Sequence, residues 1–108
     1  MTTTKNEKKG EILHDLAARF LMMNGNNSSL ITVTGVNLTR DGKYATILFT
    51  VFPDKFEKTA LEFSRRKRSE FKEFIKENSR LGRIPQIDFE IDLGEKNRQK
   101  IDALLNQG

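Results

Sequence analysis

The sequence has 108 residues, which is the size of a single domain that can bury a modest core without a metal or a disulfide. It contains no cysteine, so disulfide bonds and thiolate metal sites are excluded. The net charge is +4, and the cations are concentrated at 5–9 and 65–83, a distribution that indicates a polyanionic partner, with a solvated charged surface as the alternative.

One amphipathic helix is predicted near the N-terminus. Residues 1–7 are polar and we expect them to be flexible, which leaves 8–108 as the folded domain. From Gly10 onward apolar residues recur at helical spacing, until Asn and Gly at 24–29 end the pattern. We expect neither a membrane span nor a secretory signal, because no apolar run is long enough. The apolar stripe of the helix consists of Ile12, Leu13, Leu16, Ala17, Phe20 and Leu21.

Residues 30–52 have the pattern of two strands joined by a tight turn. Gly35 interrupts the alternation of the first strand, and Val36 and Leu38 resume it out of phase, as expected for a β-bulge. The pair Asp41–Gly42 supplies the left-handed backbone of a hairpin turn. In the second strand, one face carries Ala45, Ile47, Phe49 and Val51, and the other carries Tyr44, Thr46, Leu48 and Thr50.

A second helical segment is predicted over about 57–78, with Gly82 able to cap it and Pro85 unable to continue it. A strand follows at 86–92, and a short amphipathic helix with Ile101, Leu104 and Leu105 ends the sequence. In that strand Ile87, Phe89 and Ile91 share one face, and Asp88, Glu90 and Asp92 share the other. We expect one sheet face to pack on the two long helices and the other, with Tyr44, Thr46, Leu48, Asp88 and Glu90, to be largely open.

Four consecutive cations, from Arg65 to Arg68, occur in the second helical segment. At about 100° per residue they cannot share a face, and Lys67 falls in the middle of the apolar one. Because an unpaired buried lysine is very costly, either its ammonium extends past the apolar side chains or the helix breaks near 67–69. We favour the break, because Ser64 also dilutes the apolar face just before it. A break would expose N–H groups beside arginines, an arrangement that attracts phosphate. The basic stripe of this helix comprises Arg65, Arg68, Lys72 and Lys76, with Arg80 near its end.

Three motifs resemble the ribosome-binding factor A family, and the resemblance covers about residues 30–105. They are the hairpin TVTGVNLTRDGKYATILFTV, the strand RIPQIDFEID and the ending KIDALL. No single motif is specific, but their order and spacing together are. The family has an Ala-x-Gly kink whose positions Lys67, Arg68 and Ser69 occupy by alignment, without the Ala or the Gly. The segment 24–29 also departs from the loop that is usual in the family.

The resemblance implies an α+β fold, a single-domain type II K-homology-like α-β-β-α-(kink)-α-β arrangement in which a three-stranded sheet packs on helices, plus a short C-terminal helix. It further implies a cytoplasmic, non-enzymatic factor without a cofactor that binds the small ribosomal subunit and its rRNA during late maturation. Ribosomal proteins are allowed as further partners. We expect a monomer that does not bind membranes.

The residues expected to contact RNA phosphates or stack on bases are the cations around the second helical segment, with a second group near the N-terminus and the hairpin turn. The first group is Arg65, Arg66, Lys67, Arg68, Lys72, Lys76, Arg80 and Arg83, and the second is Lys8, Lys9, Arg40 and Lys43. Asp88 and Glu90 are expected to point away from the RNA.

Two other classes of function stay open. A K-homology module that is not tied to the ribosome would bind short single-stranded RNA with a sequence preference. A small phosphate-ester or acyl-phosphate hydrolase is disfavoured, because the sequence shows no glycine-rich phosphate loop and no general base near Ser64 or Ser69.

Other candidate residues have structural explanations. His14 is the single histidine and lacks a second ligand for a metal, so we expect it at the surface. Strand alternation accounts for the carboxylates of the last strand. We expect Phe71, Phe74 and Phe89 in the core. We expect Phe52 and Phe63 to be at least partly buried, with a surface position in contact with a partner as the alternative.

Overall fold

The computed structural model describes residues 5–25 and 29–106, apart from the side chain of Lys5. In this part of the chain the fold consists of four helices and one three-stranded sheet, as the sequence predicts. The helices are α1 (Lys5–Asn24), α2 (Glu57–Arg66), α3 (Arg68–Asn78) and α4 (Leu93–Leu105), and the 3-10 turn Asp54–Phe56 precedes α2. The strands are β1 (Leu30–Leu38), β2 (Tyr44–Phe52) and β3 (Gln86–Ile91).

The sheet has the order β1-β2-β3, with β1 antiparallel and β3 parallel to the central strand β2. The predicted bulge is confirmed: Val33 lies opposite Phe49 and Gly35 opposite Leu48, so the register shifts between them. The predicted turn is confirmed as well, because Gly42 has a φ of +73°, a conformation that glycine adopts without strain. The hairpin register is therefore set by two glycines that the pattern identifies.

The core lies between the inner sheet face and the helices α1 and α3. Phe71 of α3 is fully buried, and its ring centroid lies 5.1 Å from that of Phe20 in α1 and 5.8 Å from that of Phe89 in β3. Phe74 is partly buried and its ring lies 5.6 Å from Phe20. The stripe of α1 is buried as expected except for Ile12, which is 37% exposed.

Helix α1 begins at Lys5, earlier than the predicted start at Gly10. Its first turn is held against the hairpin, because the Asn6 side-chain amide donates a 2.9 Å hydrogen bond to the Arg40 carbonyl. Of the segment that we expect to be flexible, residues 1–4 lie outside the described residues, and so do residues 26–28 of the divergent loop. None of the described helices is long and apolar enough to cross a membrane.

Two expectations about burial and capping are wrong. Gly82 does not cap α3, which ends at Asn78 because the backbone of Ser79 is extended and its hydroxyl donates to the Ile75 carbonyl at 2.7 Å. Phe52 is 75% exposed instead of partly buried. It is the last residue of β2 on the outer sheet face, where its partner across the ladder is the exposed Leu30.

Candidate nucleic-acid interface

The long helical segment is interrupted at one residue, Lys67, within the predicted range 67–69. Its φ of −96° and ψ of 9° lie outside the helical region and separate α2 from α3. The Lys67 N–H is shared between the carbonyls of Phe63 (3.2 Å) and Ser64 (3.1 Å), and the Lys67 carbonyl accepts from the Phe71 N–H at 2.9 Å. The fully buried Ser64 hydroxyl donates back to the Ala60 carbonyl at 2.8 Å, a contact that commonly bends helices.

Although Lys67 occupies an apolar position of the helix, its side chain reaches the surface. Its Nζ lies 3.2 and 3.4 Å from the two carboxylate oxygens of Glu70 and 5.8 Å from the centre of the Phe63 ring. The side chain remains 33% exposed. Lysine has no acceptor, so the side chain at the N-cap of α3 cannot satisfy the N–H groups of the first turn. The break therefore places the N–H groups of the first turn of α3 close to cationic side chains.

Arg65 and Arg68 meet at one carboxylate. Arg65 Nε lies 3.1 Å and Arg68 Nη1 3.4 Å from Asp88 Oδ1, which also accepts from the Phe89 N–H at 2.8 Å. Arg68 Nε in addition donates to the Arg65 carbonyl at 3.1 Å, satisfying an acceptor at the end of α2. Asp88, which we expect to point away from the RNA, thus lies beside two cations that we expect to contact it, because β3 is an edge strand and an arginine can reach around it.

The rest of the first group of cations lies on exposed surface. Lys76 Nζ is 3.4 Å from the Glu73 carboxylate, a solvent-exposed pair of little energetic weight. The remaining members of this group are Arg66, Lys72, Arg80 and Arg83. None of these four has an acidic side chain of residues 5–25 or 29–106 within salt-bridge distance.

The second group of cations gathers at the hairpin end of the sheet. The Asn6 contact places the start of α1, with Lys8, beside the turn that carries Arg40. The ammonium of Lys9 lies next to Gly42 of the same turn. The Gln86 N–H donates to the Lys43 carbonyl at 2.8 Å, so the segment that contains Arg83 leads to the same end. Lys9, Arg40 and Arg83 therefore belong to segments that meet at the hairpin turn.

The other polar candidates have structural roles. Asp92 is the N-cap of α4 and accepts from the Glu95 N–H at 3.0 Å and from the Thr34 hydroxyl at 2.6 Å. These hydrogen bonds, that of Thr34 foremost, hold the pKa of Asp92 below its ordinary value. Within the described residues no cluster of three or more His, Asp or Glu could hold a metal. His14 is half-buried in a shallow groove between α1 and β1 that Val36 and Leu38 also line.

Sequence reasoning missed three ion pairs between distant elements, at two places in the fold. At one of them two arginines contact Asp88, and at the other Lys96 of α4 contacts Glu57 of α2 at 3.0 Å. Alternation along β3 indicates the face on which the Asp88 Cβ lies, but no local pattern shows which long side chain passes the sheet edge. The Lys96 pair likewise depends on how α4 returns across the domain.

The fold and the helix break define a type II K-homology-like domain. Its backbone resembles the crystal structure of ribosome-binding factor A from Thermus thermophilus, with a TM-score of 0.71 and 21% identity over 82% of this chain and 97% of that one. The family model for ribosome-binding factor A matches residues 5–105. The chain belongs to the ribosome-binding factor A family.

Two curated relatives agree with this assignment. Ribosome-binding factor A of Geotalea daltonii is 28% identical over 106 residues, which cover 95% of this chain and 86% of the relative. Ribosome-binding factor A of Lacticaseibacillus casei is 32% identical over 82 residues, which cover 71% of this chain and 68% of the relative. The resemblance carried by the hairpin, strand and C-terminal motifs is confirmed.

Proposed function

We propose that the protein binds the small ribosomal subunit and its rRNA during late maturation, as a cytoplasmic assembly factor without catalytic activity. The observation that carries this proposal is the helix break at Lys67, which places Arg65 and Arg68 together on the surface. Membership in the ribosome-binding factor A family supports the ribosome as the source of the RNA.

The arginine pair suits phosphate binding because its donors are only partly used. Arg65 contacts Asp88 through Nε and keeps both terminal amino groups for a ligand. Arg68 uses Nε and Nη1 and keeps Nη2. Their side chains are 41% and 48% exposed, so a phosphate can reach them. A guanidinium can hold one phosphate through two parallel hydrogen bonds or stack on a base.

The neighbouring cations extend this contact along the surface. The unpaired Lys72 follows Arg68 by one helical turn on α3, and Arg80 and Arg83 come after the helix end. Folded rRNA offers phosphate geometry and few readable duplex base edges. We therefore expect affinity to come from phosphate neutralisation and selectivity to come from the shape of the RNA.

The alternative of a K-homology module for short single strands has less support. Such modules clamp the nucleic-acid backbone with a Gly-x-x-Gly loop. Residues 67–70 contain no glycine, and Glu70 places a carboxylate at the start of α3. A close approach of RNA backbone to this turn would meet side chains instead of bare peptide.

Sedimentation with separated ribosomal subunits at low and high salt tests the proposal. We expect the purified protein to sediment with the small subunit at low salt, to prefer it over the large subunit, and to be released as salt rises. Equal binding to both subunits, or binding only to short oligonucleotides of a preferred sequence, would contradict the proposal.

A further inference from the structure

We infer that Asp88 is a positioning residue that fixes the arginine pair for phosphates held at a set spacing in folded RNA, and thereby disfavours flexible polyanions. This inference rests on the proposed function, whose RNA site it deepens. The unusual feature is that a carboxylate lies within the group of cations on which RNA binding would depend.

The carboxylate of Asp88 is held by a rigid part of the fold. Its Oδ1 accepts from the N–H of Phe89, a residue with 0% exposure in the core strand β3. The same oxygen accepts from Arg65 and Arg68, so two flexible side chains share one fixed acceptor. The additional bond from Arg68 Nε to the Arg65 carbonyl fixes the second guanidinium at two points.

The pairing leaves the site open to a ligand. The side chain of Asp88 is 42% exposed, like those of the two arginines, and terminal amino groups of both remain unused. An arrangement that only neutralised surface charge would not need to hold both guanidinium groups on one oxygen. A ligand whose phosphates match the fixed pair avoids the cost of ordering two long side chains.

Asp88 has two effects that oppose each other, and they can be separated. Its negative charge weakens the attraction of the site for every polyanion, whatever its shape. Its hydrogen bonds fix the arginines, which favours only a partner with phosphates in matching positions. Removal of the charge should therefore raise binding to a flexible polyanion more than binding to folded rRNA.

Glu90 provides a matched control on the same strand. It is the next outward-facing residue of β3, it is exposed, and within the described ranges no cation lies at salt-bridge distance from it. Glu90→Gln removes the same charge from the same sheet face and leaves the arginine pair fixed. It measures the effect of charge alone.

The experiment compares wild type, Asp88→Asn and Glu90→Gln in their affinities for isolated small subunits and for poly(U) at one salt concentration. We expect Glu90→Gln to leave the ratio of the two affinities unchanged. Asp88→Asn should lower the ratio of subunit to poly(U) affinity by about fivefold or more. Equal ratios in the two variants would overturn the inference, since charge alone would then explain Asp88.

Nitrogen-15 NMR of the arginine Nε–H groups tests the positioning role of Asp88 in the absence of RNA. In wild type and Glu90→Gln, the Nε–H signals of Arg65 and Arg68 should be dispersed and protected from exchange. In Asp88→Asn, we expect the Nε–H signal of Arg65, which donates to Asp88, to move towards the position of free arginine, while that of Arg68, which donates to the Arg65 carbonyl, changes less. If the wild type shows no preference for small subunits, the proposed function fails, and the role of Asp88 is still contradicted or supported by whether these signals change.

Discussion

The ammonium of Lys67 lies 3.2 Å from the carboxylate of Glu70, and the two residues stand at the start of α3 where the long helix is interrupted. This contact shows how a lysine at an apolar position of a helix keeps its charge in contact with water. The break turns the side chain to the surface, and Glu70 gives it a partner close to the positive end of the α3 dipole.

Lys67→Leu should change the free energy of unfolding by less than about 1 kcal/mol, because exposed ion pairs contribute little. Urea denaturation of wild type, Lys67→Leu and Glu70→Gln measures this. If either variant lost several kcal/mol of unfolding free energy, the pair would be buried, and each substitution would leave the charge of the other residue without a partner.

The site of Ser64 should accept alanine and reject a larger side chain. Ser64 has 0% exposure, and its hydroxyl donates to the Ala60 carbonyl of its own helix. We expect Ser64→Ala to cost less than about 1 kcal/mol, since that carbonyl lies within the helical ladder. Ser64→Leu should cost about 1–3 kcal/mol by overpacking. Equal stability of the two variants in urea denaturation would show that the space beside α2 is not filled.

The aromatic cluster should be the most sensitive part of the core. Phe71 is fully buried between Phe20 and Phe89. Phe71→Ala should lower the free energy of unfolding by about 3–5 kcal/mol. The matched control is Phe52→Ala, which should stay within about 0.5 kcal/mol because that ring is 75% exposed. Thermal melting of the two variants would contradict this account if their losses were similar.

The contact between Asp92 and Thr34 should make stability depend on pH in the acid range. The folded pKa of Asp92 is held below its ordinary value of 3.8 by the Thr34 hydroxyl and the Glu95 N–H. A carboxyl of this kind contributes stability that is present above its unfolded pKa and is lost as pH falls through its folded pKa.

A double-mutant cycle of Thr34→Val and Asp92→Asn isolates this contribution, since Asn also caps helices well. We expect a coupling free energy at neutral pH that shrinks as the pH falls through the acid range below the ordinary pKa of 3.8. A coupling that stays constant through this range would show that the ionised form of Asp92 is not the one that the fold stabilises.

The sequence predicts the elements of this fold because local patterns determine them. Gly35 marks the bulge and Gly42 marks the turn. The lysine at position 67, in the middle of the apolar face of the helix, marks the helix break. Each of these features depends on the backbone preference or the burial cost of one residue and its near neighbours, which a linear sequence contains.

The arrangement of the candidate site is less predictable, because it depends on contacts between distant segments. Alternation places Asp88 on the outer sheet face. Arg65 and Arg68 nevertheless contact it, because β3 is the edge strand and their side chains can pass around that edge. The amphipathic pattern of α4 likewise predicts the helix without predicting that Leu104 and Leu105 remain exposed, at 69% and 75%. Long polar side chains and terminal helices take their positions from the tertiary fold.

The central claim is that the cations at the helix break bind ribosomal RNA, and small-subunit affinity as a function of salt tests it most directly. The test variant replaces Arg65, Arg68 and Lys72 with alanine. The control replaces three cations near the start of α2 and on α4, which are exposed and without a salt bridge in the described part of the chain, Lys55, Lys58 and Lys100.

We expect the test variant to keep its fold and to lose orders of magnitude in affinity. The slope of log affinity against log salt should flatten by about two to three units if all three side chains contact phosphates. The control should lose much less, although it removes the same charge. Unchanged affinity of the test variant, or equal losses in the two variants, would contradict the assignment of the interface.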